Sequence, residues 1–275
     1  MTNAVLGIDV GGSTTKIVGY AGERSIGRML VKATDPATSA YGAFGKFTAA
    51  HRLKVSDIAQ IILTGVGSSH VSAGMYDIPT RRVDEFIAIG LGGLALAGLD
   101  EAIIVSMGTG TALVKANASG VTHLGGSGVG GGTLLNLCRR FAGAGSFDTI
   151  TALADQGDLG RVDLTLADIS PENIGSMPPT TTASNFGNLS DTAVNADVVL
   201  GILNMIYEII GMMAVFATRN DTVRDIVMTG SLATVHRAAQ VFDMLSRLHD
   251  VRFHIPPDAI YATAVGAALS HTDEG

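Results

Sequence analysis

The order of apolar and polar positions along the chain predicts a mixed α/β protein. Ala4–Val10 is an apolar run typical of a buried strand, and Thr15–Tyr20 and Ser25–Ala33 are predicted as the next two strands. Short turns join these three strands, which favours an antiparallel meander over a β–α–β unit. Thr38–Leu53 then has a helical pattern, and Ile58–Leu63 is a further apolar strand.

The same order of elements begins again near Glu101. Three more strands and a helix are predicted at Glu101–Ser106, Ala112–Ala116, Gly120–Leu124 and Thr133–Phe141. The remaining predicted elements are helices at Val83–Leu96, Asp197–Thr218, Leu232–Leu248 and Asp258–Ser270, strands at Arg224–Thr229 and Arg252–Ile255, and an irregular segment, interpreted as a candidate lid, at Asp148–Asp191. The repeat predicts two similar lobes, 1–98 and 99–275, with a cleft between them. We expect helix 258–270 to pack back on the first lobe.

Composition and charge exclude several classes of function. The 275 residues are 47% apolar and carry a net charge of −7, with an isoelectric point near 5.4. No run of lysine and arginine is available to neutralise phosphates, which argues against nucleic-acid binding. One cysteine, Cys138, excludes a disulfide framework and a multi-cysteine metal site. The chain enters a strand without a basic leader or cleavage pattern, so we expect a cytoplasmic protein.

One predicted helix is apolar enough to raise the question of a membrane span. Val198–Ala217 is about 20 residues long, the length that a bilayer requires. Asn204, Tyr207 and Glu208 interrupt it, and its flanks have no basic bias. We therefore interpret this helix as part of the core or of a dimer interface.

Glycine is unusually frequent, with 35 of 275 residues, and the glycines are clustered. The first cluster follows the first strand in Asp9-Val10-Gly11-Gly12-Ser13-Thr14-Thr15-Lys16. Backbone amides and hydroxyls of such a turn can hold phosphate oxygens, and a carboxylate at the end of the strand can hold Mg²⁺. The spacing is not that of a Walker A motif. A plain glycine hairpin is the structural alternative.

Two further glycine clusters lie in the second half. Ser106-Met107-Gly108-Thr109-Gly110-Thr111 is the counterpart of the first turn and would hold the other side of a triphosphate. Gly125–Thr133 has six glycines before a helix, which predicts a row of backbone amides at a positive helix end. A flexible linker is the alternative for this loop.

Glu85 is the candidate catalytic residue. It follows Asp84 at the start of a predicted helix, where an acid can simply be an N-terminal helix residue. The functional interpretation makes Glu85 a general base that takes a proton from a substrate hydroxyl as it attacks the γ-phosphate.

Taken together, these motifs resemble the type II pantothenate kinases, within the superfamily of acetate and sugar kinases, Hsp70 and actin. The resemblance covers essentially the whole chain. It rests on Asp9–Lys16, Val83-Asp84-Glu85, Gly108–Thr111, Gly125–Thr133, Thr182-Ala183-Ser184-Asn185-Phe186-Gly187, Thr229-Gly230-Ser231 and Ala264-Val265-Gly266-Ala267. It implies a duplicated ribonuclease H-like (actin-like ATPase) fold, ATP and Mg²⁺ as cofactors, and a homodimer through helix 198–217.

The resemblance also implies roles for individual residues, with Glu85 as the base. The candidate nucleotide-binding residues are Asp9, Gly11, Gly12, Ser13, Thr14, Lys16, Gly108, Thr109, Gly110, Thr111, Gly126, Ser127, Gly128, Gly130, Gly131, Gly132, Thr133, Gly230 and Ser231, with Asp9 also holding Mg²⁺. The candidate substrate residues are Ser106, His123 and Asn185. His123 stands where the family typically has an arginine that contacts the substrate. Because histidine is shorter than arginine and can be neutral at pH 7, it is expected to hold a substrate carboxylate less tightly than the arginine would.

Two other functions fit parts of the sequence. One is an actin-like or sensor ATP-binding protein without transfer activity, against which the presence of both Asp9 and Glu85 argues. The other is a hexose or N-acetylhexosamine kinase. Such kinases usually carry an Asn-Asp pair for the sugar hydroxyls and often a Cys/His zinc cluster, and the single cysteine of this chain excludes the cluster. A small-molecule kinase, with pantothenate as the leading acceptor, remains the first hypothesis.

Overall fold

The first half of the chain forms a five-stranded mixed sheet. The computed structural model describes residues 3–32, 35–72, 74–170, 172, 175 and 177–271. The strands of this sheet are β1 (Ala4–Val10), β2 (Thr14–Ala21), β3 (Arg24–Lys32), β4 (Ile58–Thr64) and β5 (Thr80–Arg82), in the spatial order β3-β2-β1-β4-β5. The first three strands pair antiparallel, and β4 and β5 add in parallel. The predicted meander is therefore present; Ala33, the predicted end of its third strand, lies outside the described residues.

The second half repeats this sheet. Its strands are β6 (Ala102–Met107), β7 (Thr111–Asn117), β8 (Gly120–Ser127), β11 (Asp225–Thr229) and β12 (Arg252–His254), in the order β12-β11-β6-β7-β8. Antiparallel and parallel pairings occur at the same places as in the first sheet. The two halves therefore share one topology, as the repeated pattern of the sequence predicted.

Helices cover both faces of both sheets. The helices of the described residues are α1 (Pro36–His51), α2 (Glu85–Ala97), α3 (Gly131–Ala142), α4 (Phe147–Ala154), α5 (Leu166–Ile169), α6 (Asn195–Ala217), α7 (His236–His249) and α8 (Ala262–Leu269), of which α5 contacts neither large sheet closely. Helix α1 packs on the face of the first sheet that carries Leu6 and Ile8. Helices α3, α4, α6 and α7 pack on the face of the second sheet that carries Ile103 and Val105, and form the largest core.

Helices α2 and α8 lie between the two sheets and contact each other closely. Ile89 of α2 packs on Ile104 of the second sheet, whereas α8 packs on β1 of the first. At the crossing, a methyl group on Gly92 would overlap the carbonyl oxygen of Ala262, and one on Gly266 would overlap that of Ala88. Glycine is required at both positions because the two backbones touch.

Helix α6 is the long apolar helix of the sequence. Within the described residues it is long and apolar enough to cross a membrane, and 67% of its most apolar stretch is buried inside the protein. Tyr207, at its centre, is fully buried and donates a hydrogen bond of 2.7 Å to the carbonyl oxygen of Leu232. Helix α6 thus packs as part of the core of the second half.

The prediction of irregular structure over residues 148–191 is partly wrong. It begins within helix α4 and contains the short helix α5 and a two-stranded sheet of β9 (Leu164–Thr165) and β10 (Thr182–Ser184). Strand β5 was not predicted, because three polar residues do not make an apolar run. The predicted helix 232–248 begins only at His236, after a 3₁₀ turn at Ser231–Thr234.

The division into lobes 1–98 and 99–275 stays a prediction. Its boundary falls at Gly98, which ends α2 in the left-handed conformation with φ of 65°.

Candidate active site

The ends of the central strands carry equivalent residues in the two halves. In the first sheet Asp9 of β1 lies beside Thr64 of β4, and Gly65 follows. In the second sheet Ser106 of β6 lies beside Thr229 of β11, and Gly230 follows. Ser106 therefore stands where the first half has Asp9. The duplicated strand ends contribute one carboxylate rather than two.

Asp9 is a buried carboxylate with a buried cation beside it. Its exposed fraction is 5%, and that of Lys16 is 8%. Lys16 lies opposite Asp9 on β2, and its Nζ is 3.1 Å from Asp9 Oδ2. The ammonium group expected to meet phosphate is therefore already paired with Asp9. A direct phosphate contact from Lys16 remains a prediction.

The two glycine turns of the sequence face each other. Gly12 and Ser13 are exposed at the tip of the turn between β1 and β2, and Thr14 begins β2. A methyl group built on Gly12 would lie 3.8 Å from Oγ1 of Thr109, in the turn between β6 and β7. The turn of one half thus approaches the turn of the other, as a phosphate-binding cleft requires.

The glycine loop does not present the row of free amides expected from the sequence. Strand β8 runs through Gly126 to Ser127, and α3 already begins at Gly131. The N–H groups of Gly131 and Gly132 donate to the carbonyl oxygens of Gly108 and Thr109 at 2.8 and 2.9 Å.

Two further amides of this loop are also used internally. The N–H of Val129 donates to Ser127 Oγ, and that of Gly130 donates to Thr133 Oγ1. A methyl group on Gly130 would lie 2.7 Å from the backbone of Gly110, so glycine here permits the start of α3 to seat directly on the second turn. The expected amide row is wrong for residues 129–132; nucleotide contacts from Gly126, Gly128 and the other loop residues stay predictions.

Glu85 is the first residue of α2, directly after the helix cap. Asp84 Oδ1 accepts hydrogen bonds from the N–H groups of Phe86 and Ile87, so the cap is complete without Glu85. Burial raises the pKa of Glu85 above its usual range, and the negative charges of Asp9 and Asp84 raise it further. Lys16 and a hydrogen bond from the backbone N–H of Val66 oppose this shift. A half-buried carboxyl with a raised pKa near a second carboxylate has the properties of a general base.

His123 lies next to the first turn of α2. Its ring stacks on that of Phe86, with ring centres 3.9 Å apart and planes inclined by 14°. Pairing of β7 with β8 shifts register at Leu124, so β8 has a bulge beside His123. Bulges of this kind turn side chains toward a site. The structure therefore places His123, on strand β8, in contact with Phe86, the residue that directly follows Glu85.

Asn185 lies elsewhere. Its Nδ2 donates to Glu208 of α6 at 2.9 Å, and Thr182 donates to the other oxygen of Glu208. Helix α6 covers the face of the second sheet opposite to the face that α2 covers. Within one chain the structure does not bring Asn185 together with Glu85, and its substrate role stays a prediction.

Gly230 and Ser231 follow β11 at the strand end of the second half. Gly230 has φ of 87°, and its N–H donates to the carbonyl oxygen of Ala259. A methyl group there would overlap the carbonyl oxygen of Met107, at the end of β6. Ser231 begins the following 3₁₀ turn. These two residues thus lie directly over the second strand end, near the turn at Gly108.

The residues at the first strand end fit a magnesium ion held together with nucleotide phosphates. Oxygen donors are what Mg²⁺ prefers, and it is commonly held by one or two carboxylates plus phosphates and water. Asp9 supplies the carboxylate, and the buried hydroxyl oxygen of Thr64 on the adjacent strand has no hydrogen-bond partner within the described residues. No group of three or more His, Cys, Asp or Glu side chains suited to a metal occurs in the described part of the chain.

Three contributors to the site were not identified from the sequence. Gly65 leaves space beside the Asp9 carboxylate, the backbone N–H of Val66 lowers the pKa of Glu85, and Phe86 stacks on His123. Gly65 follows an apolar strand just as Gly11 does, which is the one local signal that could have indicated it. The other two contacts join elements distant in sequence.

Two comparisons with known proteins agree on the family of this chain. The model of the Fumble family matches residues 101–252. A protein named type II pantothenate kinase from Bacillus cereus (strain G9842) is 26% identical over an alignment of 289 positions, which spans 97% of this chain and 98% of that protein.

Two solved structures show the same fold. The activator of the 2-hydroxyisocaproyl-CoA dehydratase from Clostridium difficile, with bound ADPNP, has a TM-score of 0.68 at 20% identity, covering 98% of this chain and 95% of that one. The ROK hexokinase from Thermus thermophilus has a TM-score of 0.59 at 12% identity, covering 97% and 98%. The predicted actin-like, ribonuclease H-like fold is confirmed.

Proposed function

Since the chain belongs to the Fumble family, which confirms the family indicated by the motifs, we propose that it is an ATP-dependent kinase that phosphorylates a hydroxyl group of pantothenate. This reaction would be the first step of coenzyme A biosynthesis. The named function of the Bacillus cereus relative supports the acceptor, and the ADPNP bound to a protein of the same fold supports the nucleotide.

The observation that carries this proposal is the position of Glu85. It lies within electrostatic reach of Asp9 and Lys16, at the start of a helix that contacts both halves. In the proposed reaction the acceptor hydroxyl gives its proton to the Glu85 carboxylate while its oxygen attacks the γ-phosphorus. The bond from that phosphorus to the bridging oxygen breaks, and ADP leaves with the bridging oxygen.

The chain's own residues would do the positioning. The turns at Gly11–Ser13 and Gly108–Thr109 would hold phosphate oxygens, and Gly230-Ser231 would lie against the adenosine. Asp9 would hold Mg²⁺, which when bound supplies positive charge at the phosphates. Most of the barrier in such reactions is lowered by alignment and charge stabilisation rather than by covalent chemistry.

The acceptor side is where this chain differs from the arrangement that the resemblance implies. His123 would contact the carboxylate of pantothenate or the migrating phosphoryl group, and Ser106 at the end of β6 is a second proposed substrate residue. A histidine grips such a group less firmly than arginine, because it offers no bidentate fork and is charged only when protonated.

The experiment is a screen of the purified protein with ATP and Mg²⁺. ADP release is measured with pantothenate, pantetheine, pantoate and a set of hexoses as acceptors. Phosphorylation of pantothenate that is lost in Glu85→Gln supports the proposal. Turnover of a hexose instead, or nucleotide binding without transfer to any of these acceptors, would contradict it.

We also propose a homodimer through helix 198–217. Partly or fully exposed apolar residues form one stripe along α6 at helical spacing: Val198, Met205, Ile209, Met212 and Phe216. Beside this stripe Leu137, Phe141 and Leu189 line an apolar groove of about 350 Å³. Phe216→Ser should convert a dimer to a monomer in light scattering. A native protein that is already monomeric would refute the dimer.

We also propose a cytoplasmic location, because the bacterial relatives are named as enzymes of pantothenate metabolism.

A further inference from the structure

Gly65 and Gly230 occupy the same place in the two halves and face equivalent backbone, that of Val10 and that of Met107, but only Gly65 also faces a side-chain carboxylate. Both follow the last residue of a central strand, both have φ near 86°, and each precedes a 3₁₀ turn. The three nearest atoms around Gly230 all belong to the backbone of Met107. Around Gly65 the nearest atom is Oδ1 of Asp9, followed by backbone atoms of Val10. The duplicated framework explains why a glycine is present, but not why this one touches a carboxylate.

The contact leaves no room for a side chain at residue 65. A methyl group on Gly65 would lie 2.5 Å from Asp9 Oδ1, a distance that real contacts do not reach. On the other side, Asp9 Oδ2 is 3.1 Å from Lys16 Nζ. The Asp9 carboxylate thus has the Lys16 ammonium group on one side and, on the other, the space that a side chain at residue 65 would fill.

We propose that Gly65 is a positioning residue for Asp9, which keeps the carboxylate in the orientation that holds Mg²⁺ together with the nucleotide. This inference rests on the proposed function. A methyl group at residue 65 would press on Oδ1 and turn the carboxylate. Oδ2 would then lose its alignment with Lys16.

Two control variants accompany Gly65→Ala. Gly74 has φ of 85° and ψ of 48°, in the left-handed region, and nothing lies within 4 Å of its methyl position, so Gly74→Ala tests an alanine at positive φ without the contact. Gly65 has ψ of 158°, so the backbone strain of Gly65→Ala itself is followed through its affinity in EDTA and its melting temperature. The methyl position of Gly67 is 2.9 Å from the carbonyl oxygen of Val10, and Asp9 is not among its nearest atoms. Gly67→Ala therefore crowds the end of β1 without pressing on Asp9.

The test measures nucleotide binding rather than turnover. The affinity of each variant for a fluorescent ATP analogue is determined with EDTA and across a Mg²⁺ titration, together with the melting temperature. We expect Gly65→Ala to weaken the apparent Mg²⁺ affinity by roughly 10-fold to 100-fold, as loss of a ligand-orienting contact typically does. Its affinity for the nucleotide in EDTA should stay within about threefold of native. Both control variants should keep the native Mg²⁺ dependence.

Three results would overturn the proposed role of Gly65. A Mg²⁺ affinity of Gly65→Ala equal to that of the native protein would overturn the proposal, as would an equal loss in Gly67→Ala. A parallel loss of affinity in EDTA would show that the whole strand end had moved, and would also overturn it. Failure of the native protein to phosphorylate any acceptor would count against the proposed function alone, because binding is measured independently.

Discussion

Replacing Glu85 by glutamine should lower activity and raise stability at the same time. The substitution removes the proton acceptor but keeps the size and the hydrogen-bonding oxygen of the side chain. The helix cap should survive, because Asp84 alone accepts from the N–H groups of Phe86 and Ile87. We expect kcat to fall by 10²-fold or more, which corresponds to at least about 2.7 kcal/mol of lost transition-state stabilisation.

The gain in stability follows from the raised pKa of Glu85. Burial first, and then the charge of Asp9, favour the protonated form of this carboxyl in the folded state. Its contribution to stability is therefore fully present below the ordinary value of 4.5 and is lost as the pH rises through the raised pKa. Glutamine stays neutral throughout. The melting temperature of Glu85→Gln should exceed that of the native protein at pH 7.5, and the two should converge near pH 4.

The assay pairs initial rates with thermal melts across this pH range. Asp84→Asn is the matched control: it removes a carboxylate one residue away, and asparagine is an equally good helix cap. This control should retain kcat within a few-fold. Near-native turnover in Glu85→Gln would remove Glu85 from the chemistry and leave it as an ordinary residue of the first helical turn. Equal activity losses in both variants would mean that charge, and not proton transfer, is what the site needs.

Three further results are expected. His123→Arg should raise kcat/KM for pantothenate by about tenfold through a charge-assisted pair, with no gain for pantetheine, which lacks the carboxylate; an equal gain for both would be inconsistent with this pairing. Asp197→Ala should cost about 2–4 kcal/mol of unfolding free energy at pH 7, because this buried carboxylate accepts from the N–H groups of Val194 and Asp158. Those bonds lower its pKa, so the loss in denaturant melts should shrink as the pH falls below about 4. Gly92→Ala should destabilise the protein by about 3 kcal/mol, whereas Gly42→Ala, on an open face of α1, should be neutral or slightly stabilising.

The strands and the duplication could be predicted because they follow from local patterns. Ala4–Val10 was predicted with the bounds that the structure has, since an apolar run between polar turns has few alternatives. Strand β5 was missed because its three residues pair with β4 through backbone bonds that no side-chain pattern records. Helix α4 was missed because the prolines and threonines that follow it favour irregular structure, and this expectation was extended over the whole segment.

The candidate site was predictable in its residue types but not in its contacts. The opposition of Gly12 and Thr109 was expected from the repeat, whereas the pairing of Lys16 with Asp9 required the strand register. The prediction of free backbone amides in the glycine loop was wrong for a physical reason. Glycines before a helix fit both an exposed anion site and a tightly seated helix, and the sequence does not distinguish the two.

The packing of α8 on β1 has a consequence for synthesis of the protein. Gly7 of β1 lies directly under Ala264, so the inner face of the first sheet is covered by residues made long after it. Roughly 250 residues separate Val10 from Ala262, which corresponds to roughly 10–50 s on a translating ribosome. Until α8 is made, the part of this face that α8 covers in the folded protein lacks its partner, even once α2 has packed on Ile62. The nascent protein therefore depends on α8 to complete the cover of its first sheet, so the half of the chain that is made first is the half that is finished late.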